Sequence, residues 1–282
     1  MDLKEVRVEI DKVDNEIKRL FEKRMILADN VARVKAETGD SIFKPEREVE
    51  IINKLTKDIE PHIEKEYTAF IKKIMEVSRK YQYGKTLTMT DPLKIDFKTG
   101  PVERSEYHVI GEEKDICRKA YDYEIISEES FDDIAKVILN NPNTAGIGVM
   151  EDLGIGVSDR LHTMLINNDI YINSCKIVVD NNVRKKVVTF SKDLVVTEGD
   201  NRLKLMFVCP NRSGSLASIL SMIADYDINL TEIHSVPDRS EIWNYFFMIE
   251  LDAAFTEEST KALIYQLMNE TEAFRLLGSY KC

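Results

Sequence analysis

No run of about 18 apolar residues, the length a membrane-spanning helix needs, occurs anywhere in this sequence. The opening stretch MDLKEVRVEIDK is charged and lacks the apolar centre of a secretion signal. Both absences lead to the expectation of a soluble, cytoplasmic protein that does not engage a membrane. Cysteine is sparse. Cys117, Cys175, Cys209 and Cys282 stand far apart, with no CxxC and no Cys/His pair at metal-ligand spacing, so four reduced thiols are expected. Glycine and proline nearly vanish from residues 1–85, where only Gly39, Gly84, Pro45 and Pro61 occur. Positive charge is in deficit: 39 basic against 50 acidic residues leave a net charge of −11. That balance excludes general binding to nucleic acid or anionic lipid, which such a surface repels. A small anionic substrate is still admissible wherever basic side chains converge.

What is present falls into three patterns. Residues 1–85 read as helix. Residues 86–105 (TLTMTDPLKIDFKTGPVERS) show no sustained period and carry Pro92, Gly100 and Pro101, which suits a linker. Residues 106–200 alternate short β-rich runs with polar helical stretches, as a small α/β segment does. Residues 201–282 give strand, helix, strand, strand, helix and a last short strand, an α+β order. No long-period repeat runs through the chain.

The first helix is the clearest element. Its apolar residues fall at Leu3, Val6, Ile10, Val13, Ile17, Leu20, Leu27, Val31 and Val34, in steps of three and four that make one seam. Position 24 belongs to that seam but holds Arg24. A dry, unpaired cation there is costly, so an anionic ligand meets it, an internal acid pairs with it, or the side chain snorkels to water. Gly39 and Asp40 interrupt the pattern. Pro45 starts a second helix at a position where its missing N–H is not needed. Pro61 is predicted to begin a third, with Tyr67, Phe70, Ile71, Ile74, Met75 and Val77 as core positions. Ser78 and Gln82, four apart, share one helix face. Arg24 and Lys35, eleven apart, also share a face, being almost three full turns from each other. Arg7 lies on the same broad side but seventeen residues from Arg24, about 25 Å along a straight helix. One small substrate does not reach both, so a role for Arg7 requires an antiparallel second chain.

The string VRVEIDKVDNEIKRLFEKRMILADNVARVK, followed by KPEREVEII and later MEVSRKYQ, resembles the all-helical chorismate mutases in order and spacing, over essentially residues 3–85. The resemblance implies a three-helix all-α domain in an intertwined homodimer or higher homo-oligomer, converting chorismate to prephenate with neither metal nor cofactor. It assigns Arg24 and the partner's Arg7 to the two carboxylates of chorismate. Lys35 and Gln82 fall to the ether oxygen whose bond breaks, Glu48 to the ring hydroxyl, and Arg47 and Ser78 to the remaining polar lining. Lys44 stands where the family usually has Asp. A Claisen rearrangement needs its diaxial substrate conformer held with the reacting carbons close, and donors aimed at the oxygen that gains charge. Only interactions that strengthen in the transition state raise the rate, so Lys35 carries the largest expected share.

The stretch SFDDIAKVILNNPNTAGIGVMEDLGIGVSDRLHTMLINNDIYINSCKIVVDN resembles part of the first lobe of prephenate dehydratase, over about residues 106–195. Met150, Glu151, Asp152 and Gly156 stand at that family's Pro-Ile-Glu-Asn strand end and glycine loop. The family's early hydroxyl-bearing loop appears here as GEEKDICRK, and its Thr-Arg-Phe motif aligns with Arg184, Lys185 and Lys186. The chain is also too short for the second lobe. No dehydratase activity is expected, and Thr189 is read as an ordinary strand residue. Residues 201–282 resemble the phenylalanine-sensing ACT domains, with order βαββαβ. NRSGSL stands where that family has Asn-x-x-Gly-Ala-Leu, and His234, Ser235, Val236 and Pro237 stand at its Glu-Ser-Arg-Pro segment. The resemblance implies an aromatic amino-acid effector, phenylalanine or tyrosine, held around Asn211, Gly214, Ser215 and Leu216. The expected whole is a mutase with a regulatory tail. Its rivals are a non-catalytic amino-acid sensor with both upstream domains degenerate, and a bifunctional mutase–dehydratase, which the missing lobe and motif disfavour.

Overall fold

The computed structural model describes residues 2–209, 213–237 and 244–282. The chain divides into two compact units, one ending at Leu93 and the other spanning Lys94–Cys282.

The first unit is helical. Helix α1 (Leu3–Thr38) starts at Asp2, whose carboxylate accepts from the backbone N–H groups of Lys4 and Glu5 while Glu5 reaches back to the Asp2 N–H. This reciprocal box satisfies N–H groups that a helix start otherwise leaves open. The helix stops at Gly39. Helix α2 (Pro45–Thr56) begins with its proline, as expected. Helix α3 (Glu64–Met89) departs from expectation at both ends. Pro61 lies in a turn before it, and the helix runs on into the stretch read as linker. The core of the unit is small: Ala28 and Ala32 of α1 pack near Met75 and Tyr83 of α3, with Ile42 from the connecting loop. Phe70, expected inside, is 45% exposed. The apolar seam of α1, from Leu3 to Val34, stands between 36% and 67% exposed.

The second unit is built on one long sheet. Its strands are β2 (Glu106–Ile110), β3 (Ile125–Glu128), β4 (Thr144–Asp152), β5 (Gly156–Val157), β6 (Tyr171–Asp180), β7 (Val183–Ser191), β9 (Arg202–Val208), β10 (Asn229–Pro237), β11 (Tyr245–Asp252) and β12 (Glu272–Tyr280). They run in the order β10-β11-β9-β12-β6-β7-β4-β2-β3, with β5 beside β4. A separate two-stranded ladder pairs β1 (Lys98–Thr99) with β8 (Val195–Val196). The helices are α4 (Lys114–Ala120), α5 (Phe131–Asn140), α6 (Asp159–Asn167), α7 (Ser215–Asp225) and α8 (Glu258–Glu270). The last four long strands with α7 and α8 make the expected βαββαβ domain. Strands β2 to β7 with α4 to α6 make the α/β lobe.

Several features join lobe and C-terminal domain. Strand β12 pairs with β6 at Gly278 and Ile172. A side chain at 278 would put its Cβ 2.4 Å from the Ile172 carbonyl oxygen, so only glycine lets the backbones meet. The Arg275 guanidinium donates to the carbonyls of Leu165 (3.0 Å), Ile166 (2.9 Å) and Asn168 (2.7 Å), capping α6. It thereby satisfies carbonyls that a helix end leaves open. The expectation of four separate thiols fails here: Cys175 and Cys282, 107 residues apart, are joined, with Cα atoms 5.0 Å apart. Strand β12 brings them together by running beside β6. Cys117 and Cys209 are free and buried. Among the described residues, no helix is long and apolar enough to cross a membrane.

Candidate active site

The first unit draws polar side chains from three helices toward one region. Arg24, on the interrupted seam of α1, donates through Nη1 to the Ser78 hydroxyl and, at 3.3 Å, to the Ile74 carbonyl of α3. Lys35 lies three turns further along α1 and donates to the Ile42 carbonyl at 2.9 Å. Gln82 sits one turn after Ser78, is buried, and donates to the Ser78 carbonyl at 3.2 Å. Its side-chain oxygen is buried without a hydrogen-bond partner among the described residues. Burial lowers the pKa of Arg24, and the nearby Glu48 charge opposes this. Lys35 is lowered for the same first reason, with Asp40 and Glu48 pulling upward and Lys44 adding to the fall. Glu48, in the first turn of α2, is thus the carboxylate within electrostatic reach of both cations.

The sequence reading missed Arg79. It is buried beside Ser78, its guanidinium pairs with Oε1 of Glu48, and it lies 4.8 Å from the centre of the Phe43 ring. A signal existed: Arg79 and Gln82 are three apart and share a helix face. Arg47 corrects an expectation. It pairs with Glu50 at 3.0 Å on the solvent side of α2, with its side chain 67% exposed. Neighbouring helix positions point about 100° apart, so when Glu48 faces α3, Arg47 does not. Arg7 is exposed on α1, far from the cluster, as its spacing requires. Lys44 pairs with Asp40 rather than with any of these groups.

In the second unit, the positions likened to dehydratase motifs are filled by ion pairs. Lys185 lies 3.2 Å from Asp152, and Lys186 lies 2.9 Å from Glu151. Lys186 also reaches Glu250 at 3.3 Å and Glu232 at 3.5 Å, both on C-terminal strands. Glu250 further accepts from the Tyr280 hydroxyl at 2.9 Å, and Lys204 pairs with Glu232. Strand β6 passes directly into β7 through Asn181 and Asn182, both with positive φ (49° and 62°). Thr189 is a strand residue whose hydroxyl lies 2.6 Å from that of Ser174. His234, at the family's Glu-Ser-Arg-Pro segment, has its Nε2 3.1 Å from Asp159 on α6.

Of the residues expected to hold an effector, Asn211 lies outside the described residues. Gly214 precedes α7 with φ +86°, and a Cβ there would meet nothing within 4 Å. This left-handed geometry favours glycine and leaves the backbone open to approach. Ser215 opens the helix, and Leu216 is half-buried beside it. Among the described residues no group of His, Cys, Asp and Glu has the geometry to hold a metal ion.

Comparison with known proteins agrees with this division. Residues 6–83 match the family model of chorismate mutase type II, and residues 204–267 match that of the ACT domain. A bifunctional chorismate mutase/prephenate dehydratase from Aquifex aeolicus (strain VF5) is 24% identical, covering 99% of this chain and 98% of the relative. The 356 aligned positions exceed the residues of this chain, so the alignment carries a long gap on its side. Prephenate dehydratase from Streptococcus mutans superimposes with a TM-score of 0.54 at 19% identity, covering 62% of this chain and 97% of that one. Prephenate dehydratase from Arthrobacter aurescens, in complex with L-Phe, gives a TM-score of 0.54 at 14% identity, covering 63% and 90%. The chain thus joins a helical domain matched to chorismate mutase type II, an α/β lobe similar in fold to part of prephenate dehydratase, and a C-terminal domain matched to the ACT domain.

Proposed function

We propose that this protein is a chorismate mutase whose C-terminal domain binds an aromatic amino acid, and that it lacks prephenate dehydratase activity. One observation carries the reading: Arg24, Lys35, Glu48, Ser78 and Gln82 gather on three helices inside the region matched to chorismate mutase type II. A structural helical bundle gains nothing from half-burying two cations and leaving a buried amide oxygen unpaired, since each opposes folding.

In the rearrangement the ether C–O bond breaks, a C–C bond forms, and no atom is gained or lost. Arg24 holds a carboxylate, and Glu48 accepts from the ring hydroxyl. Lys35 and Gln82 donate to the ether oxygen as it gains charge, with Gln82 turning its NH2 from the Ser78 carbonyl to the substrate. Burial strengthens each of these contacts. The second carboxylate falls to the partner's Arg7. The exposed seam of α1 supports that pairing, because an apolar stripe of this length is a ready interface for a second copy of the helix.

The dehydratase reading is set aside because Lys185 and Lys186 stand where that family has Thr-Arg-Phe and are engaged by Asp152 and Glu151. The effector reading rests on the ACT match and on the open backbone at Gly214. Phenylalanine is the first effector to test, since a prephenate dehydratase of similar fold is known in complex with L-Phe.

The test follows chorismate loss by absorbance, with and without phenylalanine or tyrosine. Turnover is expected, with Lys35→Ala slower by about 10²–10³-fold, as for loss of a donor to a developing oxyanion. Near-normal turnover by that variant would refute the role of Lys35, and no turnover by the wild type would refute the mutase reading. Phenylpyruvate formed from prephenate by pure protein would overturn the assigned absence of dehydratase activity.

A further inference from the structure

The geometry points to Arg79 as a positioning residue of this site, one that holds the Glu48 carboxylate where it receives the substrate's ring hydroxyl. This inference rests on the mutase reading above.

Arg79 is tied on two sides. Its guanidinium pairs with Glu48 at the start of α2, and its Cζ lies 4.8 Å from the centre of the Phe43 ring in the loop before that helix. Lys35 anchors the same loop through the Ile42 carbonyl. Helices α1 and α3 therefore each hold the segment that presents Glu48, one through a lysine and the other through an arginine. The Arg79 side chain is 9% exposed and that of Glu48 is 24% exposed, so the pair is screened by little water.

The chemistry gives the pair a purpose. A site that takes up a dianion is harmed by an uncompensated carboxylate. Glu48 nevertheless has to be a carboxylate, because only that form accepts from the hydroxyl without offering a competing proton. A guanidinium beside it offsets the charge without donating its proton, since arginine stays protonated. The planar fork and the ring contact also fix the direction in which the carboxylate points, which a lysine in the same place does less well. A hydroxyl contact made equally in ground and transition states affects binding more than turnover.

Steady-state kinetics on the full chain test this with Arg79→Ala, Arg79→Lys, Glu48→Gln and the double variant Arg79→Ala/Glu48→Gln. Arg79→Ala is expected to raise KM about tenfold with kcat within about threefold of wild type, the pattern of lost uniform binding. Arg79→Lys should restore part of the loss. In the Glu48→Gln background, removing Arg79 should change kcat/KM by less than about twofold, because the group it positions is gone. Wild-type constants for Arg79→Ala, or losses that multiply in the double variant, overturn the inference. If Arg79→Ala does not fold, Arg79→Lys decides: a KM several-fold above wild type supports the role, and a wild-type KM overturns it. A wild-type protein inert towards chorismate removes the mutase reading and this inference with it, whereas an active protein indifferent to Arg79 removes only the inference.

Discussion

At Arg24 the sequence already showed a cation on an apolar seam, and the structure gives it the Ser78 hydroxyl and Ile74 carbonyl as partners, with the charge of Glu48 nearby. Arg79 was not legible in the same way. It belongs to the run SRKYQ, where a basic residue next to a lysine reads as surface, and only the closeness of α2 turns it inward. His162 is a second residue whose state depends on packing. It is fully buried on α6, its Nδ1 donates to the Ser158 carbonyl at 2.8 Å, and burial followed by the Lys204 charge pushes its pKa down to about 4. An unfolded histidine titrates near 6.5. As pH falls from about 6.5 to 4, the unfolded chain takes up a proton that the folded chain refuses, so stability declines across that window by about 3 kcal/mol. Urea unfolding at several pH values should show this slope, and His162→Gln should flatten it. An unchanged slope in that variant would assign the acid sensitivity to other groups.

At the scale of elements, periodicity served the helices well because one face of each meets protein and the other water. It placed α1 and its stop at Gly39, and the start of α2 at Pro45, from capping chemistry. It misjudged the start of α3, since a proline that suits a helix start also suits the turn before one. The C-terminal strands kept their order but hid their charges. Alternation in RLKLMFV points Lys204 to a wet face, yet Lys204 and Glu250 are almost wholly buried. The face that an isolated sheet would leave open lies against α6 and the lobe, so Lys204, Glu232, Glu250 and Lys186 compensate one another out of water. The β6–β7 hairpin is the most local element of all. Positive φ at both Asn181 and Asn182 matches a two-residue turn whose twist suits the flanking strands. Asn182→Gly should be neutral or slightly stabilising. Asn182→Val should cost about 1–2 kcal/mol, because a β-branched residue resists the left-handed region. Denaturant midpoints measure both, and a neutral valine variant would contradict the turn geometry.

For the molecule as a whole, the largest consequence of the sequence lies on α1, whose seam was visible from residue spacing but whose covering was not, since one chain does not supply it. The antiparallel pairing proposed above makes each site composite, with Lys35 from one protomer and Arg7 from the other. Arg7→Ala and Lys35→Ala should each be nearly inactive alone, yet mixing and re-equilibrating the two should restore about a quarter of wild-type activity, because each mixed dimer holds one intact site. Absence of rescue, with mixed dimers demonstrated by mass, would place Arg7 outside the site. The junction at Gly278 and Arg275 bears on how the protein is dissected. Excising residues 201–282 would strip α6 of its carbonyl partners and leave β6 as a raw edge that recruits foreign strands. The C-terminal domain is therefore grafted onto its lobe, not hung from it, and a scalpel set between Leu93 and Lys94, where no strand of the long sheet passes, is the safer cut.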